Sequence, residues 1–340
     1  MNKKLKILIA TPLYPPDIGG PALYAENIHA EFLKVGHGVK IVKYRLEKYL
    51  PLGVRHLLYF LKMLFFIPGK DMVLILDTFS VGLPAVAASL IYKKRTIIRV
   101  GGDFLWESYA NRTNSFIFLK EFNERMPILS FKEKIIYYLT KFVLERASAV
   151  MFNTSWQKEI FKKSYGVSGI RFFTIENFYG PKRGHLEPSV KKYLWAGRDI
   201  FIKNTKTLMR AFNDAKEENF DIELEVAKNL THDQLLEKMK SCYAVLLPSL
   251  SDVAPNFIID AISLNKPFIM TRETGLFGKL KDIGLFVDPS SVKELKEKIL
   301  FLADSNNYEA YRKKVSEFSF THSWAEIAGE FLEIYNKIWK

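Results

Sequence analysis

The sequence predicts an α/β fold built on parallel sheets and divided into two domains. Short apolar segments alternate with helical segments along almost the whole chain of 340 residues, an order typical of parallel α/β proteins. A stretch rich in Gly, Pro and charged residues (177–192) interrupts this alternation and indicates a linker. A chain of this length can form two domains, each with its own core.

The predicted strands form two series, one on each side of the linker. The first series comprises residues 5–10, 38–42, 72–76, 96–100, 149–152 and 172–175. The second comprises residues 193–196, 221–226, 243–247, 267–271 and 284–287. Each series predicts a Rossmann-like domain, so we expect a ligand cleft where the carboxyl ends of the two sets of strands face each other.

The charge and the cysteine content restrict the partners and the compartment. A formal net charge of +13 favours an anionic partner: nucleic acid, an anionic membrane face or an anionic small substrate. The basic residues are spread along the chain without zinc-binding cysteines or an RNA-recognition signature, which disfavours nucleic acid. The single cysteine, Cys242, cannot form an internal disulfide, and no secretory signal pattern is found. These observations predict a cytoplasmic protein.

The most apolar stretch of the chain is RHLLYFLKMLFFIPG, residues 55–69. It is shorter than the roughly 20 residues that a membrane span needs, and Lys62 interrupts it. Two interpretations remain: a helix packed on the first sheet, or a helix that dips partly into an anionic leaflet. Basic residues flank the stretch and would help the second: Lys40, Lys43, Arg45, Lys48, Arg55 and Lys70.

A proline-rich loop joins the first predicted strand to the first predicted helix. It carries Pro12, Pro15 and Pro16 and ends at Gly19 and Gly20. Bare backbone N–H groups at a helix N-terminus can bind an anion, helped by the helix dipole. Neither a P-loop nor a Gly-x-Gly-x-x-Gly pattern is present. A purely structural turn is therefore an equal alternative.

A second motif, LWAGRDIFIKNTKTLMRAF (194–212), places two cations after a strand. Gly197 forms the turn, and Arg198 and Lys203 lie five residues apart before a helix. An Arg fork and a Lys point charge at the carboxyl end of a strand suit a diphosphate. The alternative is a solvated basic loop.

A third motif, LLPSLSDVAPNFIIDAISLNKPFIMT (246–271), carries two carboxylates. Asp252 lies on a predicted loop, Pro255 is placed to be the first residue of a helix, and Asp260 lies inside that helix. Carboxylates at this position can accept sugar or ribose hydroxyls. Alternatively, Asp252 caps the helix and Asp260 is an ordinary exposed residue.

Together these motifs resemble the GT-B fold retaining glycosyltransferases of glycosyltransferase family 4. Gly197-Arg198…Lys203-Asn204 matches the donor-phosphate motif, and Asp252-x7-Asp260 matches the Glu-x7-Glu motif in spacing. FNTSWQKEIFKKSYGV (152–167) and FFTIENFYG (172–180) resemble a helix start and a strand end of the family, with Phe178 replacing a glycine. THSWAEIAGEFLEIY (321–335) resembles the terminal helix that crosses back to the first domain.

The resemblance implies metal-independent transfer of a hexose from a nucleotide diphosphate sugar, with retention and without a further cofactor. Arg198 and Lys203 would hold the diphosphate and stabilise charge on the leaving group. Asp252 would bind sugar hydroxyls and Asp260 the ribose hydroxyls. The remaining expected donor contacts are Gly19, Gly20, Ala254, Pro255 and Asn256.

The resemblance also implies the extent of the domains and the class of acceptor. The N-terminal acceptor domain would cover residues 1–180 with a returning helix at 322–340, and the donor domain residues 190–321. The acceptor would be a cell-envelope glycan or a lipid-linked molecule, as in polysaccharide biosynthesis. With the basic first domain, this predicts peripheral contact with the inner face of the cell membrane.

Three features depart from the family pattern. Both motif acids are Asp rather than Glu, one methylene shorter. The usual histidine after the strand at 96–100 is replaced by Gly101-Gly102-Asp103, so Asp103 is the candidate for a catalytic role on the acceptor side, or a turn residue. The chain between Phe212 and Ser241 is shorter than the pattern, which leaves the nucleotide open.

Other residues and activities complete the predictions. Trp106 and Glu107 would line the acceptor cleft or simply pack it. The six histidines are scattered and are predicted to be structural or exposed rather than metal ligands: His29, His37, His56, His185, His232 and His322. A sugar-nucleotide epimerase, a phosphorylase of the same fold and a catalytically degenerate nucleotide-sugar-binding protein remain alternatives.

Overall fold

The computed structural model of the chain describes residues 4–167, 171–184 and 186–339. It divides into two compact units. The first unit consists of Met1–Leu105, Met126–Glu176 and Ser323–Lys340, and the second of Trp106–Arg125 and Asn177–His322. His185, one of the histidines considered above, lies outside the described residues.

The described residues contain strands at every position that the sequence predicts. In the first unit they are β1 (Lys6–Thr11), β2 (Gly38–Lys43), β3 (Met72–Ile75), β4 (Thr96–Val100), β5 (Ala149–Phe152) and β6 (Phe172–Thr174). In the second they are β7 (Lys191–Ala196), β8 (Ile222–Ala227), β9 (Ala244–Leu247), β10 (Phe268–Thr271) and β11 (Leu285–Val287). Predicted and observed ends differ by about two residues at most, the usual scatter of strand boundaries.

Helices connect the strands, as expected for an α/β fold. In chain order they are α1 (Gly20–Lys34), α2 (Leu52–Phe66), α3 (Gly82–Ile91), α4 (Phe104–Thr113), α5 (Leu119–Arg125), α6 (Phe131–Arg146), α7 (Ser155–Tyr165), α8 (Thr205–Glu218), α9 (His232–Ser241), α10 (Asn256–Ser263), α11 (Phe277–Leu280), α12 (Val292–Ala303), α13 (Ser305–Glu317) and α14 (Trp324–Trp339). Short 3-10 helices lie at Leu46–Tyr49 and Phe201–Lys203.

The first unit is built on a six-stranded parallel sheet in the order β2-β1-β3-β4-β5-β6. Every residue of β3, β4 and β5 is buried, because helices cover both faces of such a sheet. The last helix, α14, packs against α1, with the Trp324 ring edge-on to Tyr24 at 5.1 Å between centroids. The predicted return of the C-terminal helix to the first domain is therefore confirmed.

The second unit is built on a five-stranded parallel sheet in the order β11-β10-β9-β7-β8. Neighbouring residues of β7 point to opposite faces: Leu194 belongs to one apolar cluster and Trp195 to the other. In both units the second strand lies at the edge beside the first, and the later strands extend to the other side. The strand order therefore reverses between β1 and β3, and again between β7 and β9.

Local sequence signals fix several helix starts. Ser130 and Glu133 form a reciprocal capping box at the start of α6, and Thr231 and Gln234 form another at the start of α9. Thr154 caps α7, because its hydroxyl accepts a hydrogen bond from a backbone N–H three residues later. These three helices therefore begin where a Ser or Thr side chain satisfies one of the unpaired N–H groups of the first turn.

The segment Trp106–Arg125 groups with the second unit, whereas the sequence assigned it to the first domain. Two hydrogen bonds hold it there: the Phe201 N–H donates to Asn111 Oδ1 at 3.0 Å, and the Leu119 N–H donates to Ser251 Oγ at 2.9 Å. The helices of this segment therefore contribute to the surroundings of the second unit's loops.

The apolar stretch 55–69 forms most of α2, which packs against α3 within the first unit. Tyr59 and Met63 are its buried residues, as the interpretation of a packed helix requires. No helix among the described residues combines the length and the apolar character that crossing a bilayer requires.

Candidate functional site

The candidate residues of the second unit follow β7 and β9, the two strands between which the strand order reverses. Arg198 and Lys203 come after β7, and Asp252 comes after β9. In open parallel sheets, ligands bind at the carboxyl ends of the strands beside such a reversal. The topology therefore supports a ligand site at this edge of the sheet.

Lys203 and Asp252 form an ion pair at this edge. Lys203 Nζ lies 2.6 Å from Asp252 Oδ2, and the two side chains are only 20% and 17% exposed. The Asp252 N–H donates to the Glu273 carbonyl at 2.9 Å, which fixes the loop that carries the carboxylate. The structure thus brings together two residues whose roles were predicted separately.

Asn204 fixes the turn that presents Lys203. Its backbone is left-handed, with φ 57° and ψ 35°, a conformation that Asn tolerates better than most residues. Its buried side-chain amide donates to the carbonyls of Pro248 at 2.9 Å and Pro289 at 2.7 Å. The side chain therefore ties the turn after β7 to the loops after β9 and β11. Sequence reasoning missed this role, because both partners are distant in the chain.

Arg198 is more exposed than Lys203 and has a different partner. Its Nη2 atom lies 3.5 Å from Glu107 Oε2, and its side chain is 69% exposed. Glu107 is predicted to lie on the acceptor side, but its carboxylate contacts Arg198, a residue of the predicted donor motif. Trp106 is buried, and its indole N–H donates to the Ile117 carbonyl at 2.9 Å, which supports the packing alternative.

Asp260 pairs with a histidine that the sequence did not connect to the site. His232 Nε2 lies 3.0 Å from Asp260 Oδ2. Asp260 lies in the second turn of α10, and His232 is the first residue of α9. The hydrogen bond to Asp260 raises the pKa of His232, against the opposing effect of burial. A carboxylate held on one oxygen by His232 retains its other oxygen as an acceptor.

The start of α10 differs slightly from its prediction. Pro255 is the N-cap, and the first helical residue is Asn256 rather than Pro255 as predicted. Asp252 is therefore not the cap. The Asn177 side-chain amide donates to the Ala254 carbonyl and to Asn256 Oδ1, both at 3.0 Å. Asn177 therefore contacts two of the predicted donor-binding residues, the backbone of Ala254 and the side chain of Asn256.

Gly19 and Gly20 lie at the start of α1 in the first unit. Gly19 is the N-cap, with φ 130° and ψ 163°, and Gly20 is the first helical residue. A Cβ added to Gly19 would lie 3.8 Å from its nearest neighbour, Pro21 Cδ. The backbone conformation, which is essentially restricted to glycine, therefore requires Gly19 independently of any ligand.

The proline-rich loop before Gly19 is tied to the rest of the first unit. Lys43 Nζ donates to the Pro15 carbonyl at 2.9 Å, and Lys48 Nζ lies 3.5 Å from Asp17 Oδ1. These two lysines, which the sequence included in a basic flank, therefore also hold the loop that follows β1.

Asp103 occupies a turn after β4 in the first unit. It is 4% exposed, and its Oδ1 accepts a hydrogen bond from the Leu105 N–H at 3.0 Å. Burial raises the pKa of the Tyr165 hydroxyl, and the negative charge of Asp103 adds to the effect. The hydrogen bond from the Leu105 N–H supports the alternative that Asp103 is a turn residue. The structure places Asp103 in a different unit from Trp106 and Glu107.

The described residues offer no group of three or more His, Cys, Asp or Glu side chains that could hold a metal ion. Glu273, which follows β10, is a further acidic residue that sequence reasoning did not single out. Burial raises the pKa of its carboxyl. Its backbone carbonyl holds Asp252, so it belongs to the same group of loops.

Comparison with solved structures identifies the fold as GT-B. The chain matches sucrose-phosphate synthase from Thermosynechococcus elongatus with a TM-score of 0.71 and 13% identity, over 99% of each chain. It matches WaaG, a glycosyltransferase involved in lipopolysaccharide biosynthesis, with a TM-score of 0.70 and 14% identity, over 97% of this chain and 99% of that one. HepE from Anabaena, in complex with UDP and glucose, gives a TM-score of 0.61 and 14% identity over 98% of each chain.

These neighbours are glycosyltransferases, and they match both units of the chain. At such identities the likeness shows the fold alone, since one fold hosts many functions. No protein-family profile and no curated protein sequence matches the chain.

Proposed function

We propose that the protein is a retaining glycosyltransferase of family 4 that transfers a hexose from a nucleotide diphosphate sugar. The observation that carries the proposal is the Lys203–Asp252 ion pair beside the strand reversal of the second unit. A cation for the diphosphate and a carboxylate for the sugar are the two groups that such a donor needs at one place. The GT-B fold supports the proposal, and HepE, which shares it, holds UDP and glucose.

The cations act on the leaving group. Lys203 and Arg198 hold the diphosphate, and their charge stabilises the negative charge that develops when the bond from the sugar C1 to the phosphate oxygen breaks. Binding of a phosphate oxygen to Lys203 weakens its contact with Asp252. The Asp252 carboxylate then accepts sugar hydroxyls. Arg198 is largely exposed, so its guanidinium can turn from Glu107 to the donor.

The acceptor hydroxyl attacks C1 on the face that the diphosphate leaves, which gives retention. Its proton passes to an oxygen of the leaving phosphate, so the reaction needs no separate protein base. The charges of Lys203 and Arg198 take the place of a metal ion at the diphosphate. Asp260 accepts the ribose hydroxyls through the carboxylate oxygen that His232 does not hold.

The proposed acceptor is a cell-envelope glycan or a lipid-linked molecule. WaaG, which shares the fold, is involved in lipopolysaccharide biosynthesis. The net charge of +13 is consistent with an acceptor that carries phosphate or lies at an anionic surface.

The decisive experiment compares Lys203→Ala with Lys206→Ala, an exposed lysine three residues later in the same segment. UDP, ADP and GDP are screened one at a time for a rise in the unfolding temperature, because a ligand of the folded state stabilises it. Lys203→Ala should lose the rise, and it should lose transfer by about 100-fold or more. Lys206→Ala should keep both. Unchanged nucleotide binding and transfer in Lys203→Ala and Arg198→Ala would refute the mechanism.

Two further measurements separate the alternatives and test the role of metal. An epimerase converts a nucleotide sugar without any acceptor, whereas a transferase releases the nucleotide diphosphate only with an acceptor or by slow hydrolysis. A degenerate binding protein binds the nucleotide sugar and does neither. Transfer in the presence of EDTA should equal transfer with added Mg²⁺, and a loss of rate with EDTA would contradict metal independence.

A further inference from the structure

Helix α2 is apolar also on the side that faces away from the rest of the first unit. Five large apolar residues on this helix are exposed: Val54, Leu57, Leu58, Leu61 and Phe65. Their spacing puts them on one side of the helix, opposite the buried Tyr59 and Met63. A helix that packs only on its own sheet has polar residues on this side.

The end of α3 extends this apolar surface. Leu90 and Ile91 are exposed large apolar residues, and they lie just before Tyr92. The Tyr92 hydroxyl donates to the Leu64 carbonyl of α2 at 3.1 Å, which holds the end of α3 against the end of α2. We call the seven exposed residues, five on α2 and two on α3, the apolar surface.

Basic residues outnumber acidic ones in the stretch of chain that forms α2 and α3. Residues 52–95 contain six basic residues: Arg55, Lys62, Lys70, Lys93, Lys94 and Arg95. The same range contains two acidic residues, Asp71 and Asp77, and neither is exposed. Asp71 accepts a hydrogen bond from the Lys6 N–H at 2.8 Å, and Asp77 accepts one from the Val81 N–H at 3.1 Å. The stretch that carries the apolar surface therefore has a net positive charge, although Lys62 is paired with Glu47 of the preceding 3-10 helix.

We propose that the apolar surface docks on an anionic lipid bilayer, with α2 lying parallel to the membrane plane. Its apolar side chains would enter the boundary between headgroups and acyl chains, and Lys93 and Lys94 would contact anionic headgroups. The positive charge of this stretch favours a bilayer over a second copy of the chain as the partner. A second copy of this chain would bring two positively charged surfaces together, whereas anionic lipid complements them.

This proposal deepens the proposed function, because a bilayer is where a lipid-linked acceptor is presented. It also changes which basic residues matter. Lys43 and Lys48 hold the loop after β1, and Lys62 pairs with Glu47 at 2.7 Å. The residues expected to contact lipid are therefore Lys93 and Lys94 rather than the flank before the helix.

The test is sedimentation of the full chain with vesicles of phosphatidylcholine alone or mixed with phosphatidylglycerol. The chain should bind the anionic vesicles at low salt and bind phosphatidylcholine much more weakly. Phe65→Glu should weaken binding by about tenfold or more, because a negative charge replaces an apolar group that would enter the bilayer boundary. Phe220→Glu is the matched control, since Phe65 and Phe220 are both 79% exposed and Phe220 belongs to the second unit.

A second pair of variants tests the charge. Lys93→Glu with Lys94→Glu should weaken binding to anionic vesicles, and Lys293→Glu in α12 of the second unit should not. Equal effects of Phe65→Glu and Phe220→Glu, or equal binding to both kinds of vesicle, would overturn the proposal. So would a dimer in sedimentation velocity that Phe65→Glu dissociates, because the surface would then bind a second copy.

Separate measurements keep this proposal distinct from the proposed function. Phe65→Glu should keep the wild-type unfolding temperature and its rise with the nucleotide diphosphate, since the residue is exposed and lies outside the second unit. A chain that binds vesicles but no nucleotide would refute the proposed function alone. A chain that binds the nucleotide but no vesicles would refute the docking surface alone.

Discussion

At the scale of single residues, His232 links pH to the candidate site. Its ring pairs with Asp260, the predicted ribose-binding carboxylate, and the pair raises its pKa. Asp233 adds to the rise, whereas burial and the nearby Arg183 oppose it. Because the side chain is a third exposed, solvent reduces the effect on stability.

The His232–Asp260 pair predicts how stability depends on pH. A histidine whose pKa is raised on folding stabilises the fold most below its unfolded pKa of about 6.5. The free energy of unfolding should therefore exceed that of His232→Gln by the largest amount below this pH, and the difference should shrink as pH rises through the raised pKa. Urea unfolding at several pH values measures it.

His29→Gln is a control of opposite sign. Burial lowers the pKa of His29, so its neutral form is favoured in the folded state. The difference in unfolding free energy between wild type and this variant should increase as pH rises towards about 6.5. A difference for His232→Gln that is constant with pH, or that follows the His29 trend, would contradict the pairing.

The backbone of Gly19 gives a second prediction. Alanine at φ 130° is strained whatever space surrounds it, and such strain costs on the order of 1–3 kcal/mol. Gly19→Ala should lower the free energy of unfolding by this amount. Gly184→Ala should change it little, because no atom lies within 4 Å of an added Cβ there and its φ is outside the left-handed range. Equal effects in denaturant unfolding would show that the conformation of Gly19 is not required.

At the scale of secondary-structure elements, Asn204 determines how the turn after β7 is held. Asn204→Ala removes two buried hydrogen bonds and leaves the carbonyls of Pro248 and Pro289 without this donor. We expect a loss of about 2–3 kcal/mol in unfolding free energy, with weaker nucleotide binding because Lys203 is adjacent. Asn229→Ala is the matched control: Asn229 has φ 56°, close to Asn204, but is exposed. Equal losses would assign the effect to the backbone conformation alone.

The elements were predictable where the signal is local. Buried strands are short apolar runs, so β3 and β9 are visible in the sequence, and the spacing of Asp252 and Asp260 indicated a site. Which side chains pair with each other was not predictable, because the pairs join residues far apart in the chain. His232 lies 28 residues from Asp260, and nothing near it indicates the contact. Helices α4 and α5 show the same limit, since their pattern does not reveal which sheet they accompany.

At the scale of the whole molecule, the packing of α14 against α1 predicts that this C-terminal helix stabilises the first unit. Phe331 is fully buried in this helix, and replacing a buried Phe by Ala costs about 3–5 kcal/mol. Phe331→Ala should increase hydrogen exchange in β1–β6 more than in β7–β11. Phe268→Ala, at a buried position of β10, should do the reverse. Uniform loss of protection in both variants would mean that the two units unfold together.

The first unit is assembled from three separate stretches of the chain, and the last of them follows the whole second unit. On the ribosome, the residues of the second unit are therefore all synthesised before α14 is made. The first unit, although its strands emerge earliest, is expected to remain incomplete until that helix emerges, with the surface of α1 that α14 covers still open. The order of synthesis and the order of completion are thus reversed, and a chaperone that acts on nascent chains would meet the first unit in this unfinished form.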